Sequence, residues 1–140
     1  MLKHTARFLL ATALALPALG QQAEVKKVPA RYTSPASGSD MYLAYCASCH
    51  GPKGLGDGPV AAHLKNAIPD LTTLSKQNKG VFPTQRISQV IQGEVGVKTH
   101  GLQDMPVWGP VFLRLNNSEA PAVRVRVSNL AKHIEGLQAK

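Results

Sequence analysis

Cys46-Ala47-Ser48-Cys49-His50 decides how this 140-residue chain is read. It holds the only two cysteines of the sequence, two residues apart, with an imidazole directly after the second. A disulfide between them would close a tiny loop and stabilise little, because the gain from a cross-link grows with the length of chain it closes. It would also leave His50 without a role. A zinc site needs about four ligands, and His63, His100 and His133 supply no second pair at close spacing. A thioredoxin-like thiol pair needs a βαβ context, whereas the flanks here read as helix on one side and glycine-rich loop on the other.

What remains is C-x-x-C-H, the pattern of c-type haem attachment. Two thiols at this spacing can add to the two vinyl groups of one haem when the segment is helical, and His50 then projects under the iron as an axial ligand. Upstream, Met41, Tyr42 and Tyr45 recur at helical spacing, with Ser39 or Asp40 available as a cap, so a helix over 39–46 delivers the cysteines. Downstream, Gly51, Gly54, Gly56 and Gly58 with Pro52, Pro59 and Pro69 predict a long loop over 51–73, interrupted by one short helical stretch at 60–65. Thr84 suits the N-cap of a helix over 85–92, where Ile87, Val90 and Ile91 form one apolar face before Gly93 and Gly96 stop it. Residues 93–110 read as a second loop carrying His100, Met105 and Trp108.

The last segment carries two conflicting signals. Val123-Arg124-Val125-Arg126-Val127 alternates as a strand would, yet Val123, Val127, Leu130, Ile134 and Leu137 keep the spacing of a helix face over a longer range. Ser118 with Pro121 suits its start. The expectation is an all-α domain of three or four helices joined by long loops around one covalently bound haem.

At the other end, Lys3, His4 and Arg7 lead into an apolar run over 8–16, then Pro17 and Ala18-Leu19-Gly20. That order of positive end, apolar middle and small-residue exit predicts a signal peptide over 1–20. The run is shorter than the ~20 apolar residues that span a bilayer, so no permanent membrane anchor is expected. Periplasmic location follows. Residues 21–37, rich in Gln, Lys, Pro and Ser without an apolar period, read as an extended or flexible leader, and 38–140 as the domain. Aromatic residues are only 5% of the chain, so a large apolar cofactor would supply interior bulk that side chains do not. The formal charge of +8 suits redox partner proteins with acidic docking faces. Nucleic acid is not expected, because an exported chain would not meet it and the Lys and Arg residues are scattered.

With these residues in place, the chain resembles the class I c-type cytochromes, of the exported mono-haem bacterial type. Gly38, Tyr42 and Cys46 reproduce that family's small residue, aromatic and first cysteine at four-residue steps. Gly51, the run Gly54-Leu55-Gly56-Asp57-Gly58-Pro59 and Pro69-Asp70-Leu71-Thr72 resemble its loop on the histidine side of the haem. Met105-Pro106-Val107-Trp108-Gly109 resembles its methionine-ligand loop, and 130–138 its closing helix. The likeness spans roughly 38–138 and departs at His133, where the family usually carries an aromatic.

The resemblance implies the cytochrome c fold, with the helix from Gly38 crossing the C-terminal helix at close approach. It implies a carbonyl near Pro69, or Pro59 in competition, accepting the proton of the second His50 nitrogen, and Met105 as sixth iron ligand. Elimination points the same way: Met1 leaves with the signal, and Met41 lies in the attachment helix, where it would pack as core. His100 is the rival ligand, being in the same loop. His63 and His133 are read as surface residues, and Trp108 as packing beside the haem. A thioether on iron favours the reduced state and leaves no open position. The implied function is one-electron transfer between oxidoreductases, as a monomer or as a subunit of a complex, and not catalysis. The alternatives are a haem c subunit of a larger dehydrogenase or oxidase, and a small haem peroxidase or sensor with an open iron site.

Overall fold

Ser37, rather than Ser39 or Asp40, starts the first helix: its hydroxyl accepts from the Asp40 amide at 3.1 Å, one of the donors a helix start leaves unpaired. The computed structural model describes residues 30–95, 105–115 and 119–139. The segment read as a signal peptide, 1–20, the stretch read as a leader as far as 29, Gly96, His100 and Ser118 lie outside the described residues. Among those described there are α-helices at Gly38–Tyr45 (α1), Ala47–His50 (α2), Leu74–Gln77 (α3), Thr84–Gln92 (α4), Trp108–Arg114 (α5) and Ala120–Gly136 (α6). Short 3₁₀ turns occupy Ala61–His63 and Leu71–Thr73, and there is no strand. The domain is all-α, as the periodicity predicts.

Helix α6 settles the conflict at 123–127. Val123, Val127, Leu130 and Ile134 are buried on one face, and Pro121 sits in the first turn, where a missing amide costs nothing. Met41 and Tyr42 of α1, both fully buried, pack on this face together with Phe112 of α5. Gly38 is what lets α1 and α6 cross so closely: a Cβ there would run into the Asn129 carbonyl of α6.

Two local expectations need correction. Thr84 is the first residue of α4 and not its cap; Pro83 stands at the N-cap, with no side-chain hydrogen bond. At its other end Gly93, at φ 82°, closes the helix as expected, with the Glu94 amide returning to the Gln89 carbonyl at 2.9 Å. Within the predicted loop 93–110, Trp108 opens an unforeseen helix. Gly109 and Pro110 read as breakers, but they fall in the first turn of α5, where proline is tolerated.

Of the stretch read as a leader, residues 30–34 run without regular structure against α1 and α6, and a turn at 35–36, closed by the Ser37 amide on the Ser34 carbonyl at 3.2 Å, leads into α1. The Tyr45 hydroxyl donates to the Arg31 carbonyl at 2.6 Å, Asn129 Nδ2 to the Pro35 carbonyl at 2.8 Å and Arg126 Nη1 to the Thr33 carbonyl at 2.9 Å. Each bond satisfies a backbone carbonyl that such a segment cannot pair within itself.

Candidate functional site

Helix α1 ends at Cys46, and the Cys46–His50 segment makes one further helical turn, the His50 amide bonding back to the Cys46 carbonyl at 2.9 Å. The turn is fixed from below by the glycine-rich loop. The amides of Gly56, Gly58 and Val60 donate to the carbonyls of His50, Cys49 and Ser48 at 2.9, 3.1 and 2.9 Å. Tyr42, buried in α1, donates its hydroxyl to the Gly51 carbonyl at 2.8 Å. Carbonyls at the end of a helical turn need such partners, and supplying them here holds the two thiols and the imidazole in one orientation.

Cys46 and His50 open onto a cavity of about 330 Å³. Ile87, Val90 and Ile91 of α4 form one wall, as their spacing predicts, and Pro69, Leu71 and Leu74 the facing one. Met105 and Trp108 border the cavity from the second loop and α5, and Ile134 of α6 closes its back. A narrower pocket beside it holds Cys49 as well as Cys46, His50, Met105 and Trp108. The four residues proposed from the sequence as cofactor and iron ligands, Cys46, Cys49, His50 and Met105, therefore meet at one place.

Both cysteines are free and half-buried. Burial, reinforced by the neighbouring Cys49, pushes the Cys46 thiol up to about 12. That is the reverse of a redox-active pair, whose attacking thiol is poised by a depressed value. Burial, then Cys46 and Asp57, likewise raise Tyr42 to about 12, so its hydroxyl keeps the proton it donates to Gly51. Among the described residues no three of His, Cys, Asp or Glu cluster so as to hold a metal ion on their own.

Other sequence-marked residues fall into simpler places. Met41 is core, and His63 is exposed. His133 is half-buried rather than on the surface: its ring lies 4.9 Å from that of Tyr42, filling the position where an aromatic is usual. Burial lowers its affinity for a proton. Trp108 stacks on Phe112 at 5.7 Å and lies 5.1 Å from Tyr45, an aromatic layer behind the cavity. Sequence reasoning missed the polar residues that border the cavity, Gln77, Asn78 and Arg86. Arg86 immediately precedes the apolar triplet of α4, and that adjacency was the available signal.

A helical domain whose C-x-x-C-H turn opens onto an apolar cavity has the architecture of a covalent haem protein. The cytochrome c family model matches residues 35–124, and the chain belongs to that family. No curated protein and no solved structure gives a significant match. Membership implies covalently bound haem c and haem-based electron transfer, and the residues present fit the group: two thiols, an imidazole directly after the second, a thioether lining the same pocket and apolar walls. No helix among the described residues is long and apolar enough to cross a membrane.

Proposed function

We propose that the chain is a one-electron carrier of the periplasm, matured by removal of residues 1–20. In this reading Cys46 and Cys49 would hold the haem through thioethers, and His50 and Met105 would hold its iron. The observation that supports it is the convergence of Cys46, His50 and Met105 on both the cavity and the pocket beside it. When bound, the haem supplies an iron that alternates between ferrous and ferric while no bond in a substrate changes. The chain's own residues do the rest. The hydrogen-bonded loop fixes the His50 turn, the α4 and 69–74 walls would keep water from the bound group, and the Met105 thioether would favour reduced iron and keep other ligands away from it. The net positive charge suits brief docking on acidic faces of partner oxidoreductases, with association that weakens as salt is added.

The test is the optical spectrum of the ferric holoprotein. The wild type should show the weak far-red charge-transfer band of a thioether–iron bond, and His100→Ala should keep it. Met105→Ala should lose it, lower the reduction potential and bind added imidazole. A wild-type protein that lacks the band and takes up carbon monoxide when reduced has an open site, and the peroxidase or sensor reading replaces the carrier. A band that survives Met105→Ala removes Met105 as ligand.

A further inference from the structure

Arg126 is 1% exposed, the most deeply buried charged side chain among the described residues. It falls on the apolar face of α6, three residues after Val123 and four before Leu130. Its Nη1 donates to the Thr33 carbonyl at 2.9 Å, and the Thr33 hydroxyl and Met41 sulfur lie at 3.5 and 3.6 Å. Its Cζ stands 5.2 Å from the Tyr32 ring centre and 5.8 Å from that of Phe112. Nε is buried with no hydrogen-bond partner. Each of these partners is neutral. A guanidinium carries a permanent positive charge, and a buried charge is ordinarily paired because its desolvation is costly. Among the described residues this one is met by the carbonyl and hydroxyl of Thr33, a sulfur and two aromatic faces.

The charge lies close behind the site. Phe112, against which Arg126 rests, is 5.7 Å from Trp108 and 5.6 Å from Tyr45, and both of those rings border the pocket shared by Cys46, His50 and Met105. One aromatic layer therefore separates a fixed positive charge from the proposed iron position. The path between them is protein interior, where a field is screened far less than across solvent. When the centre takes one electron from a donor protein it loses one unit of positive charge, so repulsion from Arg126 is weaker in the ferrous state.

We propose that Arg126 is a potential-setting residue, a buried uncompensated cation that raises the reduction potential of the haem. This rests on the haem being held where the proposed function puts it. The test is spectroelectrochemical titration of the holoprotein at low and high salt. Arg126→Gln should lower the potential, and Arg126→Lys should keep it near wild type. Thr33→Asp, which sets a carboxylate against the guanidinium with Arg126 intact, should lower it too, whereas the neutral Thr33→Asn should not. The shifts should persist at high salt, unlike those from exposed charges. If Arg126→Gln does not fold, the Thr33 pair decides alone.

The inference is overturned by a Thr33→Asp protein whose potential matches that of Thr33→Asn, or by Arg126→Lys falling as far as Arg126→Gln. Either result, with covalent haem and the far-red band intact, leaves the carrier reading standing. A wild type that holds no covalent haem overturns both.

Discussion

Gly38→Ala adds a single carbon where α1 and α6 approach backbone to backbone without room for a methyl. The new Cβ would overlap the Asn129 carbonyl oxygen and lie 3.1 Å from the His133 Cβ. The oxygen belongs to the main chain of α6 and cannot swing away, so the helices must part or tilt. Overpacking of this kind costs about 1–3 kcal/mol. Alanine returns at most about 1 kcal/mol through its helix preference, leaving a net loss of roughly 1–2 kcal/mol. For a domain of this size each kcal/mol moves the melting temperature by roughly 4–8 °C, so the variant should melt about 5–15 °C below wild type. Gly136→Ala is the control: nothing lies within 4 Å of a Cβ there, so only the propensity gain remains and the melt should hold or rise. The assay is the far-UV circular dichroism melt of the three ferric holoproteins, checked by guanidinium titration. A Gly38→Ala protein that melts as high as Gly136→Ala would refute the close crossing and the placement of α1 that follows from it.

Tyr42→Phe removes the bond to Gly51, whose carbonyl keeps only the longer one from the Gly54 amide at 3.2 Å, so guanidinium unfolding at neutral pH should show a loss of about 1 kcal/mol. Because Tyr42 is raised from 10 to about 12 in the fold, the stability it contributes is complete below pH 10 and lost as pH rises through about 12, and that share of alkaline unfolding should vanish in the variant. The opposite sign holds for His133, whose lowered value stabilises the fold above 6.5 and loses that contribution as pH falls through the folded value. His133→Phe keeps the ring against Tyr42 and should flatten the acid limb of the stability profile. Replacing both Cys46 and Cys49 with serine should give a chain whose haem washes out in acid-acetone and whose amides in α4 exchange with solvent much faster than those of the α1–α6 pair.

The parts legible in the sequence were those written in short-range patterns. The C-x-x-C-H turn, the Ile87, Val90 and Ile91 face and the α6 stripe all repeat within a few residues, and each lies where its spacing puts it. Helix α5 was hidden because Gly109 and Pro110 carry a strong breaker signal that loses its meaning in a first helical turn. Its stripe of Trp108, Val111, Phe112 and Leu115 was nonetheless present at helical spacing. Arg126 was hidden differently. Judged as one of two arginines in an alternating run it reads as exposed, and only once the segment is helical does its position between Val123 and Leu130 turn it inward. The turn at Leu71–Thr73 depends on Asp70, whose carboxylate accepts from the Thr72 amide at 2.8 Å, and on Gln138, which reaches across 67 residues to the Leu71 carbonyl at 2.7 Å. No local pattern announces a contact of that separation.

The arrangement also explains why attachment through two bonds suits so small a domain. A cavity of about 330 Å³ with mostly apolar walls leaves open to water a surface that a bound group would bury. The walls that border it, α4 and the 69–74 segment, face the cavity with the apolar side chains that would otherwise define a core. The other half, where α1, α6 and Phe112 meet, closes on itself with Met41, Tyr42 and Leu130. The α1–α6 contact with Phe112 thus packs without the cavity's contents, whereas α4 joins the same core through Ile91 and turns Val90 and Ile87 to the cavity. A group that could leave would take the order of the cavity walls with it at each departure, whereas thioethers from Cys46 and Cys49 keep the filler at the end of the self-sufficient helix α1. Arg126 sits in that rigid half, so a charge that must hold a constant distance from the iron is mounted where the packing is independent of the haem.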